Sequence, residues 1–321
     1  MHFDYKQFSK KGFEIISLYC FDEETGDKKE IWVLPGHGMN LCKYKVNGTS
    51  IIEFNPDEIR ESFYGTPLLY PTPNRVFKGK FNYNGKEYSQ IKNGKTIKIH
   101  GLLHDEPFNS VKITNQNDRI SVSGDVDFAK KEYLYSAFPF KHKLNVKYTL
   151  DKSGVRFDYE IENEEHEKKV PYGIALHPYF AKIDGEEETS IKVPFEYAYE
   201  TTEDLLPTGE LFHVSGDTDL SDFVPVGELN LDTVYTGKND EYANIKYSKS
   251  GIKITLESSD DFSHMVVYTP KGKRFFCMEN QTCATNAHNL YDQGMEKISG
   301  LKFVEPDSKV TGFVKFMTEN I

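Results

Sequence analysis

Hydrophobic and polar positions alternate along most of this chain with a period of two. Leu144, Val146, Tyr148 and Leu150 are separated by polar residues; Asp151-Lys152-Ser153-Gly154 breaks the run; Val155, Phe157, Tyr159 and Ile161 resume it. Successive strand side chains point to opposite faces, so this spacing predicts a half-buried β-hairpin. The same arrangement recurs at Ile245 and Tyr247, a turn over Lys249-Ser250-Gly251, then Ile252, Ile254 and Leu256. Asn84-Gly85, with Phe81 and Tyr83 before it and Tyr88 after it, predicts a two-residue turn that needs positive φ at both positions. Asn93-Gly94 predicts a second. Helical spacing is scarce. Pro56 to Phe63 predicts one short helix, with Asn55 as N-cap, Pro56 in its first position and acids in its first turn. No Gly-, Ser- or Pro-rich linker divides the chain, and the acidic run Asp184 to Glu188 reads as a solvated loop. The expectation is an all-β protein: one large antiparallel β-sandwich domain over residues 1–321.

Composition narrows the function classes. The 321 residues include 20 Tyr and 23 Phe but only one Trp, Trp32, which suits strands and an aromatic core. A formal net charge of −11 argues against a nucleic-acid partner, which needs clustered Lys and Arg. Cys20, Cys42, Cys277 and Cys283 form no CxxC pair, so a zinc knuckle or thioredoxin-like motif is not expected, and the thiols should be free and buried. No apolar run approaches the ~18 residues of a membrane span. The first residues, MHFDYKQFSKKGF, lack a secretory apolar core. A cytoplasmic setting without membrane contact is the expectation.

Five segments could carry chemistry. In FFCMENQTC, Phe275 to Cys283, an apolar strand-like run stops at Glu279. A carboxylate at the end of a buried strand is partly desolvated, its pKa rises, and it becomes a useful base near neutral pH. The alternative is a surface Glu where a strand emerges. In VPYGIALHPYF, Ile174-Ala175-Leu176 delivers His177 just before Pro178, whose ring keeps His177 extended at a strand end. There it could exchange a proton or be a structural histidine. Asn74-Arg75 closes a Pro-rich loop and could aim a fork of donors at ligand oxygens, or lie on the surface. In HGLLHDEPF, His100 ends the strand-like run Ile97-Lys98-Ile99, and Gly101 lets the backbone turn. His100 and His104 have metal-like spacing, but Gly101 and Pro107 oppose a helix, so no metal site is expected. Asp232, in LDTVYTG, could accept hydrogen bonds from hydroxyls or cap a turn.

Taken in order, Asn74-Arg75, His100-Gly101-Leu102, His177-Pro178-Tyr179-Phe180, Asp232, Glu279 with Thr282 and Ala287, and the closing GLKFVEPDSKVTGFVKF resemble the aldose 1-epimerase (galactose mutarotase) family. The resemblance runs from about Ile31 to Phe316. It implies a large antiparallel supersandwich with a sugar cleft on one sheet face. It also implies Glu279 as general base toward the anomeric hydroxyl and His177 as general acid toward the ring oxygen. Asn74, Arg75, His100 and Asp232 would be the substrate-binding set. No cofactor and no metal are implied, and the partner is a small-molecule sugar, bound by a monomer or homodimer. Departures exist: Asn280 stands where the family commonly has Pro, Thr285-Asn286 where it has Pro-Pro, and Ala181-Lys182 where Asn-Leu often follows. The acid–base pair matches, while these departures leave the choice of hexose open. The competing readings are a same-fold epimerase acting on a hexose 6-phosphate or another sugar, a non-catalytic carbohydrate-binding protein, and a cupin-like metal enzyme.

Overall fold

The structure, a computed structural model, describes residues 1–321. Two antiparallel sheets face each other. The larger has 13 strands and runs, in hydrogen-bonded order, through His2–Lys10, Phe13–Phe21, Lys28–Leu34, Asn40–Val46, Thr49–Ile52, Tyr179–Ala181, Phe275–Gln281, His264–Tyr268, Asp232–Lys238, Phe195–Thr201 and Pro207–His213. Leu68–Leu69 and Ala175–Leu176 branch from its middle. The second has nine strands: Asn109–Asn115, Arg119–Asp127, His142–Asp151, Gly154–Asn163, Lys309–Asn320, Ile252–Ser258, Ala243–Tyr247, Thr189–Lys192 and Val224–Pro225.

The alternation read from the sequence sets which face is buried. Leu144, Val146, Tyr148 and Leu150 pair with Ile161, Tyr159, Phe157 and Val155, and all eight enter the 65-residue core between the sheets. Burying a side chain of this size stabilises the fold by about 1.5–3 kcal/mol. The downstream hairpin forms as Ala243–Tyr247 and Ile252–Ser258. At Asn84 and Gly85 φ is 52° and 69°, at Asn93 and Gly94 52° and 75°, the positive values such turns demand. The short helix forms over Pro56–Glu61, and Asn55 Oδ1 accepts from the Glu58 backbone N–H at 3.3 Å. Asp184 to Glu188 is a loop, and all four cysteines are free and buried. No helix is long and apolar enough to cross a membrane.

Three local readings need correction. Ile97-Lys98-Ile99 is not a strand. Only Ile99 bridges, to Arg75, through Val76 N–H to the Lys98 carbonyl and His100 N–H to the Asn74 carbonyl, while Ile97 N–H turns instead to the Gln90 carbonyl. Asp232 opens a strand rather than occupying a turn. The strand holding Glu279 does not stop there but runs on to Gln281, since its outer face is covered as well as its inner one.

That second covering matters for the site. The larger sheet carries another apolar cluster on the face away from the second sheet, with Ile15, Trp32, Leu34, Cys42, Tyr179 and Cys277 packed against Ile59 of the short helix and Tyr64. Central strands are thereby buried on both faces, and a polar residue on the outer face can still be desolvated.

Candidate active site

Along Phe275–Gln281, Phe276 and Met278 belong to the inter-sheet core, so Cys277, Glu279 and Gln281 project from the opposite face. Register then decides their neighbours. Tyr268 lies opposite Cys277, Val266 opposite Glu279 and His264 opposite Gln281. One strand further, Asp232 lies opposite Tyr268. On the other side, Tyr179 lies opposite Cys277 and Ala175 opposite Gln281. Cross-strand partners share a face, so Asp232, Tyr268, Glu279 and Tyr179 stand in adjacent positions on one surface.

His177 sits between Ala175–Leu176 and Tyr179–Ala181, with Pro178 carrying the chain from one to the other. Its Nε2 is 3.2 Å from Glu279 Oε1, and both side chains are almost fully buried. The imidazole is stacked on the Tyr179 ring at 4.7 Å and 9°, and meets the edge of His100 at 5.1 Å and 83°. Neither His177 Nδ1 nor His100 Nδ1 has a hydrogen-bond partner. The other Glu279 oxygen, Oε2, accepts from Gln281 Nε2 at 3.1 Å.

The remaining residues come from loops whose backbone is unusual. Asn74 has φ 56° and its Oδ1 accepts from the Arg75 backbone N–H at 2.8 Å and from Nη1 at 3.1 Å. Arg75 Nη2 donates to Asp232 Oδ2 at 3.2 Å. About a third of each side chain in this ion pair stays accessible, at 28% and 31%, so donors and acceptors remain for a ligand. His100 and Gly101 have φ 63° and 70°. A Cβ at Gly101 would stand 2.3 Å from the Tyr70 carbonyl oxygen, so only glycine admits the turn that presents His100. Left-handed backbone at non-glycine residues costs about 1–3 kcal/mol and concentrates at functional sites. Asn74 and His100 both carry that cost.

Burial is the leading influence on the titration of this site. It pushes the Glu279 carboxyl well above the usual range; the Gln281 hydrogen bond opposes that, Asp232 adds to it and Arg75 opposes it. Burial holds His177 down at about 3. It also holds His100 well below an ordinary histidine, with His177, His104 and Arg75 contributing. Burial therefore favours the uncharged form of each group, and a proton passing between Glu279 and His177 across 3.2 Å leaves their total charge unchanged. Such a pair can accept a proton from one ligand oxygen and deliver one to another without changing its own total.

All six residues singled out from the sequence fall in this region. Glu279 and His177 touch directly, His100 packs on His177, and Arg75, Asp232 and Asn74 form a second connected set beside them. Gln281, Tyr179 and Tyr268 were missed. Alternation from Glu279 could have found Gln281; Tyr268 joins through strand register, which one sequence does not display. His104 is not a ligand partner of His100: both rings pack edgewise on Phe63. A cavity of about 810 Å³ lies elsewhere, on the second sheet among Lys143, Lys147, Arg156 and Asp158. Its charges largely pair with one another and it contains no buried acid–base pair.

The two-sheet antiparallel sandwich is a galactose mutarotase-like fold. A galactose mutarotase-like protein from Clostridium acetobutylicum superposes with a TM-score of 0.85 at 22% identity, covering 99% of this chain and 98% of that one. Galactose 1-epimerase from Lactobacillus acidophilus superposes with a TM-score of 0.76 at 15% identity, covering 99% of each chain. The sequence pattern of the aldose 1-epimerase family matches residues 27–316, and the chain belongs to that family. Among curated relatives, YihR of Escherichia coli (strain K12) is 24% identical over 287 residues, covering 86% of this chain and 89% of YihR. The chromosomal LacX protein of Lactococcus lactis is 25% identical over 194 residues, 56% of this chain and 61% of LacX.

Proposed function

We propose that the protein is an aldose 1-epimerase that interconverts the α and β anomers of a hexose such as galactose or glucose, acting in the cytoplasm as a monomer or homodimer. The observation that carries this reading is the buried Glu279–His177 pair at 3.2 Å beside the accessible Arg75–Asp232 pair. With the proton the pair shares resting on His177 and Glu279 ionised in the sugar complex, Glu279 takes the proton from the anomeric O1 hydroxyl while His177 gives its proton to the ring oxygen O5. The C1–O5 bond breaks and C1 becomes an aldehyde. After rotation about C1–C2, the O5 hydroxyl adds to the opposite carbonyl face, its proton returns to His177, and O1 regains a proton from Glu279. Arg75, His100 and Asp232 bind the sugar oxygens, and Asn74 fixes Arg75. The reaction asks the protein only for one proton taken and one given. It is also spontaneous in water, so the ~10²–10⁴-fold that positioned acid–base groups supply is useful catalysis.

The test is polarimetry of freshly dissolved α-D-galactose and α-D-glucose, with the protein and with Glu279→Gln. The expected result is a faster approach to the same final rotation, lost in the variant, with Arg75→Ala and Asp232→Ala weakening apparent sugar affinity. Failure with both sugars but success with a hexose 6-phosphate would move the substrate. Sugar binding without any acceleration would make this a binding protein instead.

A further inference from the structure

We propose that Gln281 is a positioning residue that orients the Glu279 carboxylate and holds it ready to accept a proton. This deepens the mutarotase reading and rests on it for the identity of the reaction. Gln281 is fully buried, two residues beyond Glu279 on the same face of the same strand. Its Nε2 donates to Glu279 Oε2 at 3.1 Å, while Glu279 Oε1 faces His177. One oxygen is thus held from behind and the other turned toward the acid, which fixes the carboxylate plane.

The surroundings leave Gln281 no other employment. The residue opposite it on one side, His264, is already bonded through Nε2 to Tyr199 and through Nδ1 to Ser263. The residue on the other side is Ala175. Gln281 Oε1 has no partner at all. An unpartnered buried amide oxygen costs about 1–3 kcal/mol, a penalty an apolar side chain of similar size would avoid. A packing role alone would be better filled by Leu or Met. The charged and titratable groups facing Glu279 are His177 from the link before Tyr179–Ala181, Tyr179 from that neighbouring strand, Asp232 and Tyr268 from the other side, Cys277 on its own strand and Arg75 from the loop. Arg75 opposes the effect of burial on the carboxyl, and it does so more weakly than the Gln281 hydrogen bond.

The experiment follows the Glu279 carboxyl carbon by 13C NMR through a pH titration of the full chain, in the wild type and in Gln281→Leu, with polarimetric kinetics on the same samples. The expected result is a carboxyl midpoint at least about one pH unit higher in the variant, because one hydrogen bond to a charged group has that worth. kcat should fall about tenfold or more with KM little changed, and the acid limb of the kcat profile should move up with the carboxyl. In the wild type, the Gln281 side-chain amide resonances should shift with the Glu279 midpoint, a readout that needs no variant to fold. An unchanged carboxyl midpoint in folded Gln281→Leu, or a wild-type Gln281 amide that ignores Glu279, overturns the assignment. If no sugar is turned over but the carboxyl moves, the mutarotase reading fails and the role of Gln281 stands.

Discussion

Glu279 carries a stability cost that depends on pH. Its folded pKa lies well above the ordinary carboxylate value of 4.5, chiefly through burial. Below the unfolded value both states are protonated and the cost vanishes; as pH rises the unfolded chain ionises first and the fold is penalised, by about 1.4 kcal/mol per unit of separation. Glu279→Gln keeps the shape and removes the charge. It should therefore melt higher than the wild type at pH 8, with the difference shrinking toward pH 4, while turnover falls by about 10²–10⁴-fold. Thermal melts at the two pH values check the first part; a difference that did not vary with pH would mean Glu279 ionises in the fold without penalty. At this scale the sequence was informative because Glu279 and His177 each follow an apolar strand-like run, and that context announces desolvation. Gln281 carries no such mark, since its role depends on which way one carboxylate oxygen points.

Among the elements, the segment His100 to Phe108 is held by a buried cation. Lys92 Nζ lies 2.6 Å from Asp105 Oδ1 and 3.0 Å from Glu106 Oε2, and donates to the Leu102 carbonyl at 2.8 Å. Glu106, almost fully buried, is also engaged by Lys131 at 2.7 Å and by the Tyr133 hydroxyl. Removing one member of a buried charge network strands the others. Lys92→Met should cost about 3 kcal/mol, read from urea unfolding. Because this network fixes the loop that presents His100, KM should rise more than kcat falls. Unaltered stability would show that Lys131 alone suffices for Glu106. The hairpins were legible in the sequence because a turn and its two flanking strands are local. The network was not, because Lys92, Glu106 and Lys131 come from three separate segments. The apparent strand before His100 misled for a related reason: alternation of Ile97 and Ile99 marks a face, but tertiary bonds from Val76 and Gln90 decided where the backbone went.

Across the whole molecule, acid should unfold this protein earlier than its carboxylates alone would require. Of ten histidines, His37, His100, His104, His142, His177, His264 and His288 have folded pKa values below the ordinary 6.5, each chiefly through burial. Above about 6.5 both states are neutral at these sites and the stability is complete. As pH falls the unfolded chain takes up protons first, and stability drops down to the folded values, about 4 for His104, His142 and His288 and about 3 for His177 and His264. Each fully buried histidine contributes up to about 1.4 kcal/mol per pH unit in that window. The urea midpoint should therefore fall steeply from pH 7 to pH 5, where carboxylates have scarcely begun to protonate; a flat midpoint would refute it. The fold class was legible from period-two patterning at this scale. The pairing of Thr49–Ile52 with Tyr179–Ala181 was not, because alternation says which face a residue takes and nothing about which distant strand lies beside it.

The four buried thiols give the folded protein a set of internal clocks. Burial pushes all of them away from the reactive thiolate: Cys20 is raised, Cys42 and Cys277 strongly so, and Cys283 reaches about 12. A colourless alkylating reagent should find nothing to modify until the chain opens. Cys20 and Cys42 sit in amino-terminal strands, Cys277 in the strand of Glu279 and Cys283 just beyond it. The order in which mass spectrometry finds them capped would therefore time the opening of each region against the others, with no residue needing to be introduced.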